Sequence, residues 1–301
     1  MKAKVDVVAE KIRSMKVRGA RDIAIAAVEA LEAVMREGGS PADMRRAGSK
    51  LKKARPSAIS LPNAVNYVLY LVDKNRDEED FRQKTAAEIA DYLRRLNESL
   101  ERIATIGASI INPGETILTH CQSDTVAQIL MKAWDQGKKI KAVCTEARPR
   151  HQGYITASLL SKHGIPTTLI IDSAVYYMMQ ELNVDKVIVG ADTIYSDGDI
   201  VNKIGTAQIA LAAKKMNIPL IVAAESIKFS PESIIGKMVK IEERDPDEVT
   251  RIPKVKIRNP AFDITQSEYV DVIITEEGIM PPQEAFHLLT EKFSWGLKHG
   301  K

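Results

Sequence analysis

KVIVGAD, residues 186–192, decides the fold: a short β-branched run that stops at Gly190-Ala191-Asp192. It reads as a strand whose carboxyl end carries an acid. Working outward, five runs share its character: TILTH (116–120), KAVCTE (141–146), TTLIID (167–172), PLIVAA (219–224) and DVIIT (271–275). Between them the spacing predicts helices over 124–136, 153–163, 173–182 and 204–216. Strands alternating with helices indicate an α/β fold, a mostly parallel sheet with helices on both faces. In such sheets ligands sit beyond the carboxyl ends of the strands, where the strand order switches direction. Chemistry is therefore to be sought just after each strand.

Upstream the pattern changes. Val5, Val8, Ile12 and Met15 recur at helical spacing, and Ile23, Ala27, Val28 and Leu31 repeat it. Gly38-Gly39-Ser40-Pro41 breaks the helical run, with Ser40 a cap and Pro41 in the next first turn. A charged helix is expected from about 78 to 111, ending at Asn112-Pro113-Gly114. That triplet divides a helical N-terminal domain (1–112) from a sheet domain (113–301). The length suits one large domain or two ordinary ones, and either buries a substantial core.

Composition narrows the function classes. The chain is 45% apolar and 28% charged, yet the signs nearly cancel at +3, which argues against a nucleic-acid partner. No run approaches the ~18 apolar residues of a membrane span. The opening residues lack the apolar core of a signal peptide, so a cytoplasmic location is expected. Two cysteines, Cys121 and Cys144, form neither a disulfide framework nor a zinc spacing, and no metal is predicted.

The strand ends hold the candidates. His120-Cys121-Gln122-Ser123-Asp124-Thr125 follows the first strand and leads into a helix. A cysteine there gains thiolate character from the helix N-terminus, whose amides, with the Ser123 and Thr125 hydroxyls, suit a phosphate. The plainer alternative is a small core residue at a tight turn. Glu146-Ala147-Arg148-Pro149-Arg150-His151-Gln152-Gly153 follows the second strand, and its arginines suit phosphate oxygens or, alternatively, surface ion pairs. Asp192 sits at an apolar strand end, where partial burial is expected to raise its pKa and fit it for acid work. Asp197, Gly198 and Asp199 read as a turn, since they lack the spacing and terminal Glu of a calcium loop. Asn202 and Lys203 are expected to open the next helix, and Lys228 follows the fifth strand. Near the N-terminus, Arg18, Arg21 and Arg55 stand beside Gly or Pro breaks.

Seven of these segments, VRGARD, ARPSA, HCQS, TEARPRHQG, GADTIYSDGD, NKIGT and ESIKF, occur in this order over nearly the whole chain. In that order they resemble the aldose-phosphate isomerases related to translation initiation factor 2B subunits, and within them the archaeal ribose 1,5-bisphosphate isomerases. The resemblance implies a helical N-terminal domain, a Rossmann-like C-terminal domain and a homo-oligomer, a hexamer in that group. It implies conversion of α-D-ribose 1,5-bisphosphate to D-ribulose 1,5-bisphosphate without a cofactor, in AMP breakdown feeding Rubisco, with AMP as an activator.

Motif by motif, Cys121 and Asp192 match the catalytic pair of that family. Arg18, Gly19, Ala20, Arg21, Arg55, Ser123, Arg148, Gln152, Asn202, Lys203 and Lys228 match substrate-contacting positions. Ala147 departs from the pattern, because relatives often carry Ser or Thr there. Two alternatives remain open at this stage. A methylthioribose 1-phosphate isomerase shares the Cys/Asp pair but needs an apolar pocket in place of the second phosphate site. A non-catalytic regulatory subunit usually lacks that pair.

Overall fold

The structure, a computed structural model, describes residues 2–17, 19–55 and 58–293. They fall into two compact units. One holds the described residues up to Ser99, together with Ile227–Met238 and those from Phe286 onward; the other holds Leu100–Ser226 and Val239–Ala285.

The first unit is built on α1 (Lys2–Arg13), α2 (Ala20–Arg36), α3 (Pro41–Lys52), α4 (Ser60–Lys74) and the opening turns of α5 (Phe81–Ser109). Its core joins Ile12, Ile23, Leu31, Met44, Leu51, Leu61, Val65 and Ile89. These positions recur every three to four residues along each helix, so one stripe of each faces the centre. Ser40 caps α3 as expected, accepting from the Asp43 amide while the Asp43 carboxylate accepts from the Ser40 amide.

The helix α5 serves both cores. Ile89 and Leu96 pack in the first, Ile103 and Ala108 in the second. The two compact units part at 99/100, within α5, and the Asn112-Pro113-Gly114 turn follows the end of that helix. Residues 227–238 likewise join the helical unit. Buried Asn63 on α4 holds them there, donating from Nδ2 to the carbonyls of Ile227 (2.8 Å) and Phe229 (2.7 Å).

The second unit carries β1 (Thr116–Thr119), α6 (Asp124–Asp135), β2 (Lys141–Thr145), α7 (Gly153–Lys162), β3 (Thr167–Ile170), α8 (Val175–Glu181) and β4 (Lys186–Val189). Then come β5 (Thr193–Ile194), β6 (Ile200–Lys203), α9 (Thr206–Lys215), β7 (Leu220–Ala223), β8 (Phe262–Thr265), β9 (Val272–Thr275), β10 (Gly278–Met280) and α10 (Ala285–Lys292). Seven strands form one sheet in the order β10-β9-β7-β4-β1-β2-β3, parallel except for β10. All six strands read from the sequence are in it. Packing of α6 on α7 and of α8 on α9 matches the two faces of a doubly wound sheet.

A second, antiparallel sheet, β5-β6-β8, was not expected. It corrects one assignment: Asn202 and Lys203 end a strand, and Gly205, in the left-handed region at φ 105°, starts α9. Among the described residues no helix is long and apolar enough to cross a membrane.

Candidate active site

The strand order reverses at β1. From β1 the chain steps outward to β2 and β3, then returns to lay β4 on the other side of β1. The crevice beyond β1 and β4 is therefore the switch point where such sheets bind ligands. Cys121 follows β1 and Asp192 follows β4, so the topology alone brings both to that crevice.

Close backbone approach marks the spot. A Cβ on Gly190 would stand 2.8 Å from Ser123 Oγ. Ser123 itself caps α6, its Oγ accepting from the Val126 amide at 3.3 Å. Cys121 is buried and left-handed at φ 65°, an uncommon conformation for a non-glycine residue. Its thiol points to Gln152 Oε1 at 3.8 Å, and its carbonyl accepts from Thr156 Oγ1 at 2.9 Å.

Burial pushes the Cys121 thiol above its ordinary value. The Lys203 ammonium, the Gln122 amide and the Arg244 guanidinium pull it back down, while the Asp192 carboxylate acts with burial. Desolvation thus outweighs the helix terminus, the reverse of the direction expected from the sequence. Cys144 has none of this company; burial alone raises it to about 12, and it is a core residue.

Lys203 is buried, with Nζ 4.7 Å from the Phe262 ring centroid. Desolvation lowers its pKa, Arg244 acts the same way, and Cys121, Asp192 and Glu242 oppose them. The hairpin of β5 and β6 delivers it: the Asp192 amide donates to the Val201 carbonyl at 2.8 Å, two residues before Lys203. The turn at Asp197-Gly198-Asp199 closes that hairpin, as read from the sequence. Asp192 itself is exposed, which corrects the expected shielding. Ala191 and Thr193 take the buried side of the extended chain and leave Asp192 facing out.

The loop after β2 is built with care. Asp172 accepts from the amides of Ala147 (2.8 Å) and Arg148 (2.7 Å). Ala147 and His151 are left-handed, and Gly153 lies so close to the Thr145 carbonyl that no side chain fits. Gln152 reaches the thiol, but Arg148 is exposed and turns to the Val249 carbonyl at 3.5 Å, while Arg150 pairs with Glu248. Both arginines are thus exposed, each with a partner in the 248–249 stretch.

The second unit thus gathers Cys121, Ser123, Gln152, Asp192 and Lys203 about one strand-end crevice, with Asn202 buried beside them, its Nδ2 donating to Thr206 Oγ1 at 3.1 Å. Gly19, Ala20, Arg21, Arg55 and Lys228 belong to the other unit. There Gly19 is the N-cap of α2, Ala20 its first residue, and Arg21 pairs with Asp22 at 3.5 Å. Arg55 and Lys228 are half-buried. Arg18 lies outside the described residues.

Three contributors escaped the sequence reading. His120 is buried with both ring nitrogens bonded, and Asp263 holds the start of α9. Arg244 reaches the thiol and Lys203 electrostatically from an aperiodic stretch, where its own partner is Glu242 at 3.2 Å.

Comparison with known proteins bears on this geometry. The profile of the "Initiation factor 2 subunit family" matches residues 16–282. A Methanocaldococcus jannaschii protein named ribose 1,5-bisphosphate isomerase is 44% identical over 296 residues, 95% of this chain and 94% of its own. A methylthioribose-1-phosphate isomerase of Acetivibrio thermocellus is 38% identical over 301 residues, covering 91% and 87%. The crystal structure of a Pyrococcus horikoshii translation initiation factor 2B superposes with a TM-score of 0.77 at 32% identity, over 94% of this chain and 98% of that one.

Proposed function

This chain belongs to the initiation factor 2 subunit family, and from that premise we propose that it isomerises α-D-ribose 1,5-bisphosphate to D-ribulose 1,5-bisphosphate. The observation that carries the reading is the pairing of Cys121 and Asp192 across the β1/β4 switch point, with a buried lysine between them in charge terms. Four archaeal relatives named ribose 1,5-bisphosphate isomerase are 41% to 44% identical, against 37% and 38% for two named as putative or assigned methylthioribose-1-phosphate isomerases.

The chemistry follows from the substrate. A phosphate on C1 leaves no free anomeric hydroxyl, so the ring opens only if the C1–O4 bond breaks. The step needs Asp192 protonated beneath the bound sugar and Cys121 in its thiolate form: Asp192 then protonates O4 as Cys121 removes the C2 proton, and the electron pair forms C1=C2 and gives an enol phosphate. Cys121 then returns its proton to C1, Asp192 takes the O2 proton, and the C2 ketone forms. Both groups end as they began. Lys203 assists by drawing the thiol toward thiolate, and by countering the charge of the sugar phosphate.

Substrate contacts are assigned to Ser123, Gln152, Asn202 and Lys203 in the sheet unit. Gly19, Ala20, Arg21, Arg55 and Lys228 keep that role from the motif resemblance alone, as do Arg18 and Arg148. The same resemblance supports a homo-oligomer, hexameric in assembly, with AMP as activator, a cytoplasmic location and a place in AMP breakdown.

The test is to incubate the protein with each sugar and follow ketose formation. Turnover of the bisphosphate, lost in Cys121→Ser and Asp192→Asn, is the expected result. Turnover of methylthioribose 1-phosphate alone moves the chain to methionine salvage, and silence on both, with AMP present, leaves a binding subunit. Substrate deuterated at C2 tests for a hydride shift: washout of the label into water rules it out, whereas retention at C1 fits either a hydride shift or a Cys121 that returns its deuteron without exchange.

A further inference from the structure

His120 precedes Cys121 in the chain, and Ile204 follows Lys203. One hydrogen bond joins these two neighbours: His120 Nε2 lies 2.9 Å from the Ile204 carbonyl oxygen. A carbonyl only accepts, so Nε2 carries the proton. The ring is buried, and desolvation lowers its pKa and keeps it neutral. Nδ1 is then a bare acceptor, and Thr145 Oγ1 donates to it at 2.6 Å. Thr145 ends β2, so the ring is clamped between a parallel strand of the large sheet and the exit of the small one. Gly205, with no side chain, admits it; a Cβ there would stand 3.2 Å from the ring Cε1.

We propose that His120 is a positioning residue that sets Lys203 against Cys121, through the Nε2–H to Ile204 carbonyl bond whose orientation Thr145 fixes. The geometry leaves little else for the ring to do. Both nitrogens are engaged, the side chain is buried, and it has no spare proton for substrate. What the bond does is register the end of β6 on the end of β1, and those ends carry the cation and the thiol. The charged groups about the pair are Asp192, Arg244 and Glu242, with Asp172 facing the imidazole itself. The inference rests on Cys121 being the working thiol, and extends that reading by one linkage.

The test uses thiol chemistry, which needs no sugar. Alkylation of Cys121 by iodoacetamide is followed against pH in the intact protein, with peptide mass spectrometry separating it from Cys144. His120→Asn keeps an acceptor for Thr145 but has no donor to reach Ile204. Its reactivity curve is expected to move to higher pH, slowing alkylation at neutral pH by roughly three- to tenfold, a half to one pKa unit. His120→Gln, whose amide N–H falls near the Nε2 position, should recover most of that loss. In a Lys203→Met background the His120→Asn shift should vanish, since the cation it positions is gone. A folded His120→Asn protein with an unmoved curve overturns the proposal, as does an equal shift in the absence of Lys203. If His120→Asn does not fold, Thr145→Val is read in the same way, with the same two outcomes deciding. Failure to turn over the bisphosphate would leave these curves as they are, so the two readings fail separately.

Discussion

Gly190 lies so close to Ser123 that a Cβ on it would stand 2.8 Å from the serine Oγ and 3.2 Å from its Cβ. The two residues follow β4 and β1, the strands that flank the switch point. Any side chain at 190 must therefore part the strand ends that carry Asp192 and Cys121. Gly190→Ala is expected to lower stability by about 1–3 kcal/mol, as overpacking does. Activity should fall further than stability explains, by about tenfold or more in kcat/KM. Kinetics beside a thermal melt separate the two; a variant with wild-type kcat/KM would show that the apposition does not serve catalysis.

At Gly153 the obstacle is backbone. A Cβ would fall 1.7 Å from the Thr145 carbonyl oxygen, and no rotamer change relieves that. Gly153→Ala must shift the whole loop off β2, so a loss above about 3 kcal/mol is expected in denaturant unfolding. Ala147, left-handed at φ 58° in the same loop, should behave oppositely. Ala147→Gly removes a left-handed strain of about 1–2 kcal/mol but adds backbone entropy, so a small gain is expected.

Local pattern carried much of this architecture into view. Runs such as Val187-Ile188-Val189 and Leu220-Ile221-Val222 are buried throughout, and a fully buried parallel strand has to be apolar along its length. Once those strands were placed, Cys121 and Asp192 followed from where strands end. What stayed hidden depends on contacts far apart in sequence. The strand β5 has two residues, and β6 runs into α9 through a single turn, so neither shows a period of its own. Arg244 sits among charged residues and prolines between Val239 and Pro260, held by a hydrogen bond from its backbone N–H to the Asn259 carbonyl that no local rule foretells. Exposure of Asp192 and the strand-end setting of Lys203 both depend on the small sheet, which no local pattern announces.

Asn63 makes a further case of distant control. Its single Nδ2 satisfies two carbonyls, of Ile227 and Phe229, more than a hundred and sixty residues away. Asn63→Ala strands both in a buried setting, at an expected cost of about 2–4 kcal/mol. Lys228 lies between those carbonyls, and the substrate role proposed for it predicts a rise in KM at nearly constant kcat. Steady-state kinetics on the folded variant decide it: an unchanged KM would remove Lys228 from the substrate contacts.

Asp263 predicts how stability responds to acid. Its Oδ2 accepts from the Gly205 amide at 2.7 Å and, with Oδ1, from Ala207 at 3.3 Å, placing a carboxylate on the first turn of α9. Burial nevertheless dominates those bonds and raises its pKa from 3.8 to about 6. A carboxyl that holds its proton more tightly when folded binds more protons in the native state between those two values. Its contribution to stability is then largest below the unfolded pKa and falls as pH rises toward about 6, levelling off above. Two pKa units set an upper limit of roughly 3 kcal/mol on that loss, reduced by the solvent that reaches the group. Asp263→Asn does not titrate, so the difference in unfolding free energy between variant and wild type should change across this window and be flat above it. A difference that instead grew in favour of the wild type with rising pH would mean that the amides of Gly205 and Ala207 outweigh burial, and that α9 is capped by a carboxylate of depressed pKa.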